Sequence, residues 1–201
     1  MAMGESKRPS REEAYALLTK YNQSESLIKH ALTVEGVMKH FAGLYPGEDE
    51  EVWGIVGLVH DLDYEQFPEQ HCYKTREILE GEGWPEEYIR AIESHGWELV
   101  NEVKPTSAME KVLYTIDELS GLITATVLLR PSKSILDTEV KSVKKKWKQK
   151  GFAAGVNRDV IEKGVALLET DLDRVIEESI LGMRAVAGEI GLQGEEADQD
   201  I

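Results

Sequence analysis

The residues that could do chemistry are histidines and aspartates placed where a helix should be apolar. His30 lies three residues after Leu27 and four before Val34, on the face that also carries Val37. Asp117 follows Leu113 by four and precedes Ser120 by three, beside Ile116 and Gly121, so its carboxylate points inward. His60-Asp61 closes the apolar run VWGIVGLVHD. A lone buried carboxylate is costly or takes up a proton unless a cation or hydrogen-bond donors satisfy it. Two imidazoles and two carboxylates converging from three helices make a mixed N/O ligand set. That set suits a divalent Mn, Fe, Co, Ni, Mg or Zn ion and does not discriminate among them.

The elements that must position these groups read as helices. In 11–22 the residues Ala14, Leu17, Leu18 and Tyr21 recur at helical spacing. Ser24 and Glu25 start a second helix reaching about Leu44, and Pro46-Gly47 makes a turn. A third helix covers about 50–60, a fourth about 70–82, and Pro85 opens a fifth to about Ser94. The longest covers about 107–129 with Met109, Val112, Leu113, Ile116, Ile123 and Val127 inward, and Arg130-Pro131 ends it. A short basic helix at 139–150, one from Asn157 to about Leu168, and one over 171–191 complete the chain. No stretch alternates at period two for long, so the expectation is an all-α bundle. It forms a single domain over 1–192, with a core of about 12–130, a helical extension over 131–192 and an acidic tail at 193–201.

Composition narrows the function classes. Of the 201 residues 41% are hydrophobic and 30% charged, which is globular. No stretch approaches the ~20 apolar residues of a membrane span, and the charged start MAMGESKRPSREE does not read as a secretion signal. The single cysteine, Cys72, cannot form an internal disulfide. It reads as a small buried thiol turned about 100° away from His71 on a helix. A cytoplasmic location is the expectation. The formal charge of −15 opposes binding to duplex nucleic acid.

The ordered set of His30, the His60-Asp61 pair and Asp117, with ALTVEGVM after His30 and KVLYTIDEL around Asp117, resembles the HD superfamily of metal-dependent phosphohydrolases. The resemblance covers about residues 12–130. It extends to bacterial hydrolases of dinucleoside polyphosphates, because His71 (EQHCYKTREIL) and His95 (AIESHGW) fall between the HD pair and the last aspartate. It implies that His30, His60, Asp61 and Asp117 hold a first metal ion. Asp61 would bridge to a second, which His71 and His95 hold unless they contact a substrate phosphate. The run His60-Asp61-Leu62-Asp63 departs from the HDIG form, and the HD-GYP signature of cyclic-di-GMP phosphodiesterases is missing.

One or two divalent ions would lower the pKa of a bound water, and the hydroxide would attack phosphorus in line. Asp63 or Glu65 would orient that water or fix a ligand histidine tautomer. The substrate is expected to be a nucleotide or another small phosphorylated molecule. Contacts to it fall to Lys74 one turn from His71, to Trp97 as a stacking surface, and to Arg130, Lys133 and Arg158 in a basic segment. That segment, 130–158, carries nine basic residues against two acidic ones, and the helix starting near Asn157 could offer amides to a phosphate. A solvated lysine-rich helix paired with acidic neighbours accounts for it equally well. His40, beside Lys39, reads as plain surface. Apolar stripes on the last helices could pair subunits as a homo-oligomer. Two alternatives stand beside the hydrolase: a metal-binding regulatory protein with little catalysis, and a di-iron oxygenase-type member of the wider superfamily.

Overall fold

The computed structural model describes residues 8–194. Its described residues form an all-α bundle in which only isolated bridges pair extended backbone. The helices are α1 (Arg11–Tyr21), α2 (Glu25–Ala42), α3 (Glu50–Val59), α4 (Tyr73–Gly81), α5 (Glu86–Ser94), α6 (Ala108–Leu128), α7 (Val140–Trp147), α8 (Arg158–Leu167) and α9 (Leu172–Ala185). None of them is long and apolar enough to cross a membrane.

Helix α2 is the spine. It packs most extensively on α3, then on α9 and α6, burying Val34, Val37, Met38 and Phe41. Gly57 lets α3 come close: a Cβ there would sit 2.9 Å from Met38 Cγ and 3.0 Å from the Val34 carbonyl oxygen. That approach brings His60, at the C-terminal end of α3, beside His30 on α2. Helix α6 starts on a capping box in which Ser107 Oγ accepts from the Glu110 amide while the Glu110 carboxylate accepts from the Ser107 amide. It buries Val112, Leu113, Ile116, Leu119 and Ile123 completely and delivers Asp117 to the same point.

Several expected boundaries move, with physical reasons. The fourth helix begins at Tyr73, not near residue 70, because Pro68–Gln70 is a 3₁₀ turn and His71 is extended (ψ 139). Cys72 then has φ 67, a left-handed conformation that a helix cannot contain. The basic helix ends at Trp147 and the last at Ala185. Beyond Ala185 the chain turns back, burying Ala187, Ile190 and Leu192. Gln193, at the start of the expected acidic tail, pairs with Ser134, whose hydroxyl donates to its carbonyl at 2.9 Å. Residues 195–201, the rest of that tail, lie outside the described residues.

Candidate metal centre

Three of the histidines share one device. His60 Nδ1 donates to the Gly57 carbonyl at 2.8 Å, and His95 Nδ1 to the Ile92 carbonyl. His71 Nδ1 donates to Asp63 Oδ1 at 2.8 Å. Each ring is thereby held with Nε2 facing inward, the arrangement that metal-ligating imidazoles use. Asp63 is fully buried, and its second oxygen accepts from the Thr75 amide.

The inward atoms form two adjoining groups. In the first, His30 Nε2 lies 3.3 Å from His60 Nε2 and 3.0 Å from Asp117 Oδ1. His60 Nε2 lies 3.2 Å from Asp117 Oδ1. Asp61 Oδ2 completes the group, 3.4 Å from His60 and 3.8 Å from His30. In the second, His71 Nε2 and His95 Nε2 are 3.1 Å apart, and Asp61 Oδ1 is 3.5 Å from each. Cys72 Sγ lies 3.9 Å from His95 Nε2. Thus the two oxygens of Asp61 face different groups. Ligand bonds of about 2.0–2.3 Å in tetrahedral geometry put ligand atoms about 3.3–3.8 Å apart, close to these spacings. Two sets, His30 with His60, Asp61 and Asp117, and His71 with Cys72 and His95, have the composition and closeness to hold a metal ion.

Charge reinforces the fit. Burial alone would push the His60 imidazolium down, but the Asp61 and Asp117 carboxylates raise it to about 10. Burial works likewise against His71, and the hydrogen bond it donates to Asp63 raises it to about 9. His95 rises well above the ordinary imidazole value against its burial, through Cys72 and Asp61. Asp61 and Asp117 fall far below the carboxylate range, because the imidazoles outweigh their desolvation. Burial pushes the Cys72 thiol up, yet His95 and His71 bring it down to about 7. The site therefore concentrates negative charge and wants positive charge in return. A divalent cation would supply that charge in place of the imidazole protons.

The structure brings His30, His60, Asp61, Asp117, His71 and His95 together, sets Asp63 behind His71 and leaves the other predicted residues elsewhere. Glu65 does not reach the centre: its Oε2 accepts from the Gln23 and Ser24 amides at 2.7 and 3.0 Å, bracing the corner that leads into α2. Asp63 lies within hydrogen-bond distance of His71 Nδ1. Lys74 pairs with Glu77 at 2.7 Å and lies over the Phe67 ring. Trp97 packs on Tyr114 under the amines of Lys104 and Lys163. Arg130 binds Asp137 and Ser142. Lys133 holds a left-handed turn (φ 46). Arg158 donates to the Trp147, Gln149 and Phe152 carbonyls, bracing the basic segment internally. The first amides of α8 are already capped by Asn157 Oδ1, so the expected phosphate seat at that helix start is filled by its own cap. His40 is not plain surface either, since it pairs with the buried Glu178 on α9.

Two features went unread in the sequence. Cys72 joins the second group because its φ of 67 and the extended His71 turn both side chains inward, where a helix would have separated them. A cavity of about 400 Å³ opens beside His30, between α2, α6 and residues 190–192. Ala125, Leu128, Ile190 and Leu192 give it apolar walls, and Lys29, Ser26 and Thr33 provide polar groups. Cavities of about 380 and 430 Å³ lie near Pro9, but neither wall contains a histidine. Compared with protein-family models, with curated proteins and with solved structures, the chain matches none, so its functional reading stands on this geometry and on the ordered His30, His60-Asp61 and Asp117 set.

Proposed function

We propose that this chain is a metal-dependent phosphohydrolase of the HD type, acting on a small phosphorylated molecule. The observation that carries the reading is Asp61, whose two oxygens face two separate groups of inward ring nitrogens. A divalent ion held there would supply a water acidified to a pKa of about 7 and positive charge for the phosphoryl oxygens. His30, His60 and Asp117 would hold the first ion with Asp61 Oδ2, and His71 and His95 the second with Asp61 Oδ1. Asp63 keeps His71 oriented.

The cavity beside His30 is the substrate's seat in this reading. Lys29, paired with Glu25 at 2.6 Å, would exchange that partner for an anionic oxygen. Apart from the His30 imidazole its walls contain no ring on which a nucleobase could stack. That favours a compact, largely apolar body over a nucleotide. The test is phosphate release from short alkyl phosphates, phosphosugars, nucleotides and dinucleoside polyphosphates with Mn, Fe(II), Co or Mg. The expected result is turnover greatest for the compact phosphates. Absence of turnover across the panel overturns the hydrolase. A redox-active di-iron pair without phosphate release would support the oxygenase alternative instead.

A further inference from the structure

Cys72 is the chain's one cysteine, and the backbone is strained to aim it. It holds φ 67 without being glycine, asparagine or aspartate, a conformation of a kind that costs about 1–3 kcal/mol and concentrates at functional sites. The next turn makes room for its sulfur. A Cβ at Gly96 would come within 2.7 Å of Cys72 Sγ, 2.7 Å of Asn101 Nδ2 and 2.6 Å of Val100 Cγ2, so only glycine fits between the thiol and the 100–101 turn. The thiol is 1% exposed. Against it stands His95 Nε2, whose side chain is 3% exposed and whose other nitrogen is already engaged with Ile92.

We propose that Cys72 is a thiolate ligand of the second metal ion, making its coordination set two imidazole nitrogens (His71, His95), one carboxylate oxygen (Asp61 Oδ1) and one sulfur. This rests on reading the two groups as a metal centre. On loading, the thiol releases its proton to solvent and the sulfur donates to the ion; no electrons are transferred. The chemical consequence is asymmetry. The first group is all nitrogen and oxygen, whereas a sulfur in the second shifts its preference toward Zn, Co or Fe and away from Mg and Mn. The two positions would therefore take different ions from a mixed pool.

The full chain, stripped with a chelator and kept anaerobic in thiol-free buffer, is titrated with Co(II) and followed by absorption. The expected result is two cobalt ions per chain and a near-ultraviolet sulfur-to-cobalt charge-transfer band, for which this chain has a single thiol. Cys72→Ser should lose the band and weaken the second ion by at least the ~10–100-fold that follows loss of a mere supporting hydrogen bond. Its first ion should bind unchanged. His30→Ala should keep the band. Should Cys72→Ser fail to fold, X-ray absorption of the zinc-loaded wild-type chain decides, with a sulfur neighbour at ~2.3 Å expected. Cobalt bound without the band, or only nitrogen and oxygen around zinc, overturns the assignment of Cys72 and leaves the metal centre standing. No cobalt bound at all overturns both.

Discussion

At the scale of single residues, three acidic side chains within five positions have three unrelated duties. Asp61 faces both ligand groups, Asp63 is buried beneath His71, and Glu65 holds amides at the α1–α2 corner. Asp61→Ala should lose both ions and all turnover, read by metal analysis of the purified protein; full metal content would refute the bridge. Asp63→Asn keeps the shape but weakens the acceptor for His71. The expected outcome is a loss of about 10–100-fold in affinity for the second ion alone, measured by competitive titration. Glu65→Gln leaves two amides with a poorer partner. It should lower stability by about 0.5–2 kcal/mol with kcat unchanged, and a large fall in kcat would return Glu65 to the reaction. Sequence proximity to Asp61 was the only sign of function in Glu65. It misled because the turn after α3 points successive side chains in different directions.

At the scale of elements, the site was legible where helices carry it. His30 and Asp117 are visible as polar residues amid apolar neighbours at helical spacing, and α2 and α6 are regular through both. The corner at Pro68–Cys72 was not legible, since a left-handed residue that is not glycine leaves no mark in composition. Nor were the duties of Arg130 and Arg158, whose partners include backbone carbonyls that no residue type announces. Helix contact sets the geometry. Gly57→Leu would force α3 off α2 at Val34 and Met38, and such overpacking typically costs about 1–3 kcal/mol. The expected result is a lower unfolding temperature together with weaker first-ion binding, because His30 and His60 ride on those two helices. Weaker stability with undiminished affinity would show that the ligands adjust independently of the helix spacing.

At the scale of the whole molecule, the centre couples protonation to folding. The raised imidazoles His60 (about 10) and His71 (about 9) contribute stability that is complete below about 6.5. That contribution is lost as pH climbs through 9 to 10. The depressed Asp61 and Asp117 contribute above about 3.9, and that fades as pH falls below it. The metal-free chain should thus melt at progressively lower temperature from pH 7 to pH 10. Saturating zinc should flatten the trend, because coordinated imidazoles are already neutral. Identical slopes with and without zinc would contradict this account of the charge balance.

The placement of Ile190, Gly191 and Leu192 in the wall of the cavity beside His30 orders events during synthesis. A ribosome releases the chain from its N-terminal side, so every proposed ligand, through Asp117, emerges more than seventy residues before that wall exists. A nascent chain could then load its ions early while still having nowhere to seat a substrate, and competence to turn over would arrive only when residues 190–192 dock.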